Sequence, residues 1–560
     1  PMERGGCWQW LLLLVGIQLA GGQCPEQCQC IRTAQVECSG AGITVVPSPI
    51  PMNAMTLQII NTRIVELGDA SFGDASLLIG LRIEKNNLSR ISPGAFQHLP
   101  DLRYLSLASN KLQELPMQVF EPLDKLESLL LSSNQILQVE PSHFAHLSNL
   151  KELQLHGNNL QELKEGVFDQ LTSLTKLNLA RNNIDRLPPR AFERLARLQV
   201  LRLYENRLRQ IPAGAFDGLP ELQELGLHQN QLETLSPELF VHNGNLQKLY
   251  LSNNLLAALP SGIFLPLRAL TKITLHVNRL RDISPSAFGP TPNLRELWLY
   301  DNELPTLPTA VFSNLTQLQL LVLSKNRLRS VAPGAFRGLG ELLELSLHSN
   351  ALRHLDTQVL EGLPKLQNIS LHHNQLQALP RGLFGATPGL QHLQLHFNAL
   401  EYLPSGIFSP LAALREVKLH NNSWRCDEGI LPLRGWLEDN PHKVGETPPL
   451  CAQPPALLGT PIAGLPQDQF LRPRPPTASP HPSTPLPAPS SEAALPEEEE
   501  EEEEEERGRW GLTRTQSGVV VAVIVLVCVA LLAALVALVV YGCRKKSHVV
   551  LMRMKAPNEA

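Results

Sequence analysis

Apolar and polar positions follow one frame along most of this chain. Leucine or isoleucine alternates with other residues over a short stretch, and the stretch ends on a polar turn, as in LSLASNKL at Leu105 to Leu112 and LWLYDNEL at Leu297 to Leu304. The L-x-L alternation predicts a short strand with its leucines pointing inward and the residues between them pointing out. An asparagine closes each frame and returns every 24 residues, without a slip, from Asn86 to Asn422. Its amide donates and accepts at once, so a stack of such residues satisfies backbone groups that buried turns leave unpaired. A second column keeps the same period: Phe72, Phe96, Phe120 and onward to Phe408, with Leu360 in the one exceptional slot. These rings are expected to stack as a spine on the side away from the strands. Approaches such as PGAF at Pro93 and PAGAF at Pro212 favour short turns there over long helices. The first frame, LQIINTRI at Leu57 to Ile64, carries Thr62 in the asparagine slot, as suits a terminal unit.

No single frame can bury its own leucines, but stacked frames share one continuous core. The expected fold is therefore an α/β solenoid, with a curved parallel sheet on its concave face and short helical or irregular segments on its convex face. Fifteen units fill 54–416. At ~4.8 Å per strand the sheet would run about 70 Å along its curve.

The remaining segments set the compartment. Arg4, the apolar run Leu11 to Leu19 and the small residues Ala20 to Gly22 read as a secretory signal over 1–22. Cys24, Cys28, Cys30 and Cys38 lie just before the repeats, and Cys426 and Cys451 just after them, with no cysteine between. In an exported chain this reads as disulfide-stapled caps over 23–53 and 417–465; a zinc site at the first four cysteines is the other reading. Four cysteines allow three pairings, and spacing does not choose among them. Residues 466–517 are rich in Pro, Ser and Thr and then carry ten glutamates, Glu497 to Glu506, which reads as an extended stalk. Residues 518–541 contain an uninterrupted apolar run, long enough for one transmembrane helix and followed by Arg544, Lys545 and Lys546. The 19-residue tail, 542–560, is too short for a domain. The expected placement is a single-pass type I protein of the plasma membrane, ectodomain outside. The net charge of −5 owes much to the glutamate run, so the near-balanced solenoid gives no nucleic-acid signal. No catalytic or nucleotide-binding motif is present, so no enzyme and no cofactor is expected.

The frame L-x-x-L-x-L-x-x-N-x-L, with CPEQCQC at Cys24 and NNSWRCDEGILPLRGWL at Asn421, resembles the extracellular leucine-rich-repeat transmembrane glycoproteins. The resemblance implies the pairings Cys24–Cys30 and Cys28–Cys38. Glu428 stands where the usual C-terminal cap has a second cysteine, which leaves one bridge, Cys426–Cys451. It further implies a receptor that binds extracellular-matrix proteins such as collagen, fibronectin and laminin and supports adhesion and migration. The alternative is a co-receptor, or a signalling or pathogen-attachment receptor, working through a partner chain, with viral or other cell-surface proteins as further partners.

Contact residues are sought on the outward strand positions. Tyr204, Tyr250, Trp298 and Tyr300 place large rings mid-solenoid and form the candidate ligand-binding set; packing along the sheet is the other reading. Two residues before the asparagine, seven histidines share one column, and His348, His372, His396 and His420 occupy successive repeats. They read either as flat amphipathic rings or as a pH-responsive or metal-binding stripe; no metal site is assigned. N-glycosylation sequons occur at Asn87, Asn314, Asn368 and Asn421.

Overall fold

The computed structural model describes residues 24–466, apart from 32, 33, 70, 74 and 285. The proposed signal, stalk, transmembrane segment and tail lie outside the described residues. Among the described residues, no helix is long and apolar enough to cross a membrane.

One 18-stranded sheet runs the length of the solenoid. It opens with β1 (Cys28–Ile31), antiparallel to β2 (Gln35–Ser39), and every later neighbour is parallel. The register never slips: Leu57 faces Leu81, Leu177 faces Leu201 and Leu393 faces Val417. Inward leucines, isoleucines and a valine at the strand centres are buried, while the flanking outward residues range from exposed, as at Lys176, to buried, as at Ser106, Asn178 and Thr274.

The asparagine ladder supplies the turn chemistry. Asn302 Nδ2 donates to the carbonyls of Leu275 (3.0 Å) and Leu299 (3.1 Å), and its Oδ1 accepts from the Leu280 amide at 3.1 Å. Each ladder residue thus ties its own turn to the preceding one. In the first turn Thr62 takes the slot, and its hydroxyl and amide both bond Asn86 Oδ1. A feature not legible in the sequence accompanies the ladder. The residue before each asparagine lies in the left-handed region, with φ between 52° and 58° at the non-glycine positions from Lys85 to Asn421. A left-handed residue costs L-amino acids roughly 1–2 kcal/mol; the bonds on either side hold it there.

The phenylalanines stack with centroids 5.8 to 6.5 Å apart. On the sheet side, stacked rings in successive repeats are only 4.4 to 4.6 Å apart. Each repeat is therefore shorter on the sheet side by more than 1 Å, which makes the sheet the concave face. Away from the main sheet the segments are mostly turns, with two short parallel pairs, Glu66–Leu67 with Arg90–Ile91 and Thr306–Leu307 with Ser330–Val331, and one four-residue helix, α1 (Pro141–Phe144), among the described residues. In the column beneath the spine, leucine at most positions from Leu99 to Leu411, three slots carry Asn243, Thr291 and Thr387, all fully buried. Asn243 Nδ2 reaches the carbonyls of Phe216 and Leu219 at 3.0 Å each, while its Oδ1 has no partner.

Both ends are closed. Cys24–Cys30 and Cys28–Cys38 staple β1 and β2 over the first repeat. At the other end α2 (Leu431–Asp439) turns Leu433 and Leu437 inward. Trp424 is fully buried and donates from Nε1 to the Leu419 carbonyl at 3.1 Å, and Cys426–Cys451 ties the returning segment. This closure shields the last strand, Glu416–Lys418, which would otherwise leave Val417 and Leu419 facing water.

Candidate ligand-binding face

The concave columns bring the four candidate aromatics into two clusters rather than one. Tyr204 stacks on His228 (4.5 Å between centroids, 12° between planes), and Tyr250 meets His228 edge-on at 5.9 Å. Tyr300 stacks on His276 at 4.4 Å and 9°, and Trp298 meets both edge-on, at 6.5 Å and 6.3 Å. Between the clusters lie the small residues Ser252 and Thr274, both nearly buried. Trp298 faces Thr274 across the register, so Tyr250 lies one strand further off and does not touch it.

Trp298 is half-buried, and it is fixed by polar neighbours as well as by rings. Its Nε1 donates to Glu296 Oε2 at 3.1 Å, and the Lys272 ammonium sits 5.4 Å from its ring centroid. The same lysine pairs with Glu296 at 2.6 Å. Burial raises the Glu296 carboxyl, but the donors Lys272 and Trp298 outweigh it and hold the group below its ordinary range. Burial raises the hydroxyls of Tyr250 and Tyr300, so both keep their protons as donors. His276 is pushed down to about 4 by burial, with His228 adding to the fall. The site is thus neutral in its rings, with two ion pairs at its edges, Lys272–Glu296 beside Trp298 and Arg202–Glu224 beside Tyr250. It offers flat contact area whose rotamers are already ordered, the property that makes aromatic residues effective anchors.

The histidine stripe forms a continuous stack. His348, His372, His396 and His420 lie 4.4, 4.5 and 4.6 Å apart, each half-buried. Burial, then the neighbouring histidines, push His372 down to about 3 and, with Lys418, His396 down to about 4. His348 and His420 are lowered by burial as well. The stripe is therefore uncharged at neutral pH. Beside it runs a pair absent from the sequence-based set: Phe397, 40% exposed, stacks on His373 at 4.3 Å. Both occupy the left-handed position before the asparagine, which turns their rings to the open side; knowledge of that position is what would have singled them out. Among the described residues, no group of three or more metal-ligating side chains converges.

The sequons differ in setting. Asn314 and Asn421 are exposed, whereas Asn87 and Asn368 are half-buried. Asn368 opens a strand on the concave face, and its Oδ1 lies 2.8 Å from His392 Nδ1.

Known proteins give the fold context. Over 86 residues the chain is 57% identical to human leucine-rich repeat-containing protein 15, covering 14% of this chain and 15% of that protein. Human reticulon-4 receptor-like 2 is 36% identical over 118 residues, 21% of this chain and 28% of that protein. These matches thus span under a third of either relative's length. Among solved structures, the Toll–Spätzle complex of Drosophila aligns with a TM-score of 0.62 at 25% identity, over 74% of this chain and 61% of that one. The plant peptide hormone receptor RGFR1 in complex with RGF2 aligns at 0.55 and 25% identity, over 70% and 63%. The family model described as leucine rich repeat matches in nine overlapping placements from 53 to 423. Those placements cover more than half of the 560 residues and coincide with the ladder and the sheet, so the chain belongs to the leucine-rich-repeat family.

Proposed function

We propose that this chain is a single-pass type I cell-surface receptor whose concave sheet binds extracellular-matrix proteins, with collagen, fibronectin and laminin as the candidate partners. The observation that carries the reading is the pair of ring clusters, Tyr204–His228–Tyr250 and His276–Tyr300–Trp298, on the inner face. They are preordered, half-exposed and free of sequons until Asn314. Two similar solved structures hold a partner on this kind of scaffold, Spätzle on Toll and RGF2 on RGFR1, which supports a binding rather than a catalytic role. Adhesion and migration follow if residues 518–541 anchor the solenoid at the plasma membrane. Glycans at Asn87, Asn314, Asn368 and Asn421 belong to the same proposal, as does occupation of the face by a viral or other cell-surface protein in place of matrix.

The test is binding of the full-length protein, in detergent micelles, to immobilised collagen, fibronectin and laminin. Saturable binding to at least one of them, lost on substituting the ring clusters, is expected. No binding to any of the three would overturn the reading.

A further inference from the structure

Away from the rings, a cleft of about 490 Å³ opens along the rim where the strands of the earlier repeats begin. Four cations line it, Arg103, Lys125, Lys151 and Arg197, against one carboxylate, Glu127. Their placement follows from the 24-residue period. Arg103, Glu127 and Lys151 share one column, and Lys125, Ser173 and Arg197 share another two residues earlier in the frame. At ~4.8 Å per repeat the cations extend over about 19 Å along the rim.

Glu127 is held between Arg103 (3.0 Å) and Lys151 (2.6 Å), and Lys125 pairs with Asp101 at 2.6 Å. Among the described residues, no carboxylate comes within 4 Å of Arg197, which is exposed and lines the cleft together with Ser173. Ion pairs as exposed as these contribute little in water, so the lysines and Arg103 can exchange partners readily. The guanidinium of Arg197 keeps all its donors free for an anion, and a forked guanidinium suits a tetrahedral oxyanion that accepts two bonds at once.

We propose that this cleft binds a linear sulfated polysaccharide, one sulfate group at Arg197 and Ser173 and others along Lys151, Arg103 and Lys125. A polymer fits better than a single anion, because the cations are strung along an open rim and do not converge on one point. Sulfate esters stay ionised throughout the extracellular pH range. The surface is separate from the ring clusters, so the two proposals stand or fall independently.

The experiment uses full-length protein in detergent micelles, with heparin as the probe and the double variant Lys151→Ala, Arg197→Ala. Apparent affinity at 0.15 M salt is expected to fall by about tenfold or more, the effect of losing two charge-assisted contacts. Desulfated heparin should bind neither protein, and inorganic sulfate should compete only at far higher concentration. Arg327→Ala, Arg329→Ala is the control for charge alone and should bind heparin as the parent does. Unchanged affinity in the cleft variant, an equal loss in the control, or equal binding of desulfated heparin would overturn the proposal. Since both cleft residues are exposed, an unchanged melting temperature is expected and keeps the comparison clean.

Discussion

At the scale of single residues, the repeat imposes conformations that individual side chains do not favour. Val277 is the clearest instance: a β-branched residue held at φ 53°, where asparagine is better tolerated. Val277→Asn is expected to raise stability by about 1 kcal/mol, read as a higher melting temperature; a decrease would show that the valine packs in a way that outweighs its backbone strain. Asn243 is a second local conflict, a buried amide with an unpartnered Oδ1 in a leucine column. The carbonyls it touches already accept backbone amides, Leu219 N on Phe216 O and Leu222 N on Leu219 O. Asn243→Leu should therefore orphan nothing and stabilise by about 1 kcal/mol, and a loss of similar size in a denaturation curve would refute this. The break in the leucine column at Asn243 is legible in the period, but neither its orphaned oxygen nor the backbone strain at Val277 is. The ladder asparagines are legible, since their period is strict. The left-handed slot before them holds residues as different as lysine, serine, glutamate, valine and phenylalanine, and so carries no compositional signal.

At the scale of elements, the period gave the strands, their parallel order, the ladder and the phenylalanine spine, because one residue type per slot is the cheapest way to repeat one geometry. It could not give side-chain direction on the open face. There Tyr204 and Tyr300 were placed with Tyr250 and Trp298 as one zone, and the structure divides them around two histidines, His228 and His276. The histidine column itself was legible; its protonation was not, because burial depends on rings in the neighbouring repeats. That burial gives a pH prediction with a fixed sign. A histidine held down to about 3 or 4 when folded, against its ordinary 6.5, takes up a proton on unfolding at intermediate pH. Its contribution to stability is complete above pH 6.5 and declines as pH falls from there toward about 3 to 4. Replacing His372 and His396 with phenylalanine should flatten the acid side of the melting-temperature profile between these limits. An unchanged slope would mean that carboxylates alone govern acid unfolding.

At the scale of the whole molecule, the caps and the uninterrupted register make the solenoid one continuous scaffold, and its candidate binding chemistry lies on two surfaces, rings on the inner sheet and cations on a rim. The segments that would set its compartment are read from composition alone, which is enough for an apolar run or a glutamate run but says nothing of a partner's identity. The central claim is that the inner ring clusters are the ligand-binding face. The most direct measurement is the affinity of full-length Trp298→Ala for the matrix protein that binds the parent most tightly, taken together with its melting temperature. A weakening of about 2 kcal/mol or more at an unchanged melting temperature is expected of a central anchor; unchanged affinity at an unchanged melting temperature would contradict the account and place the binding face elsewhere.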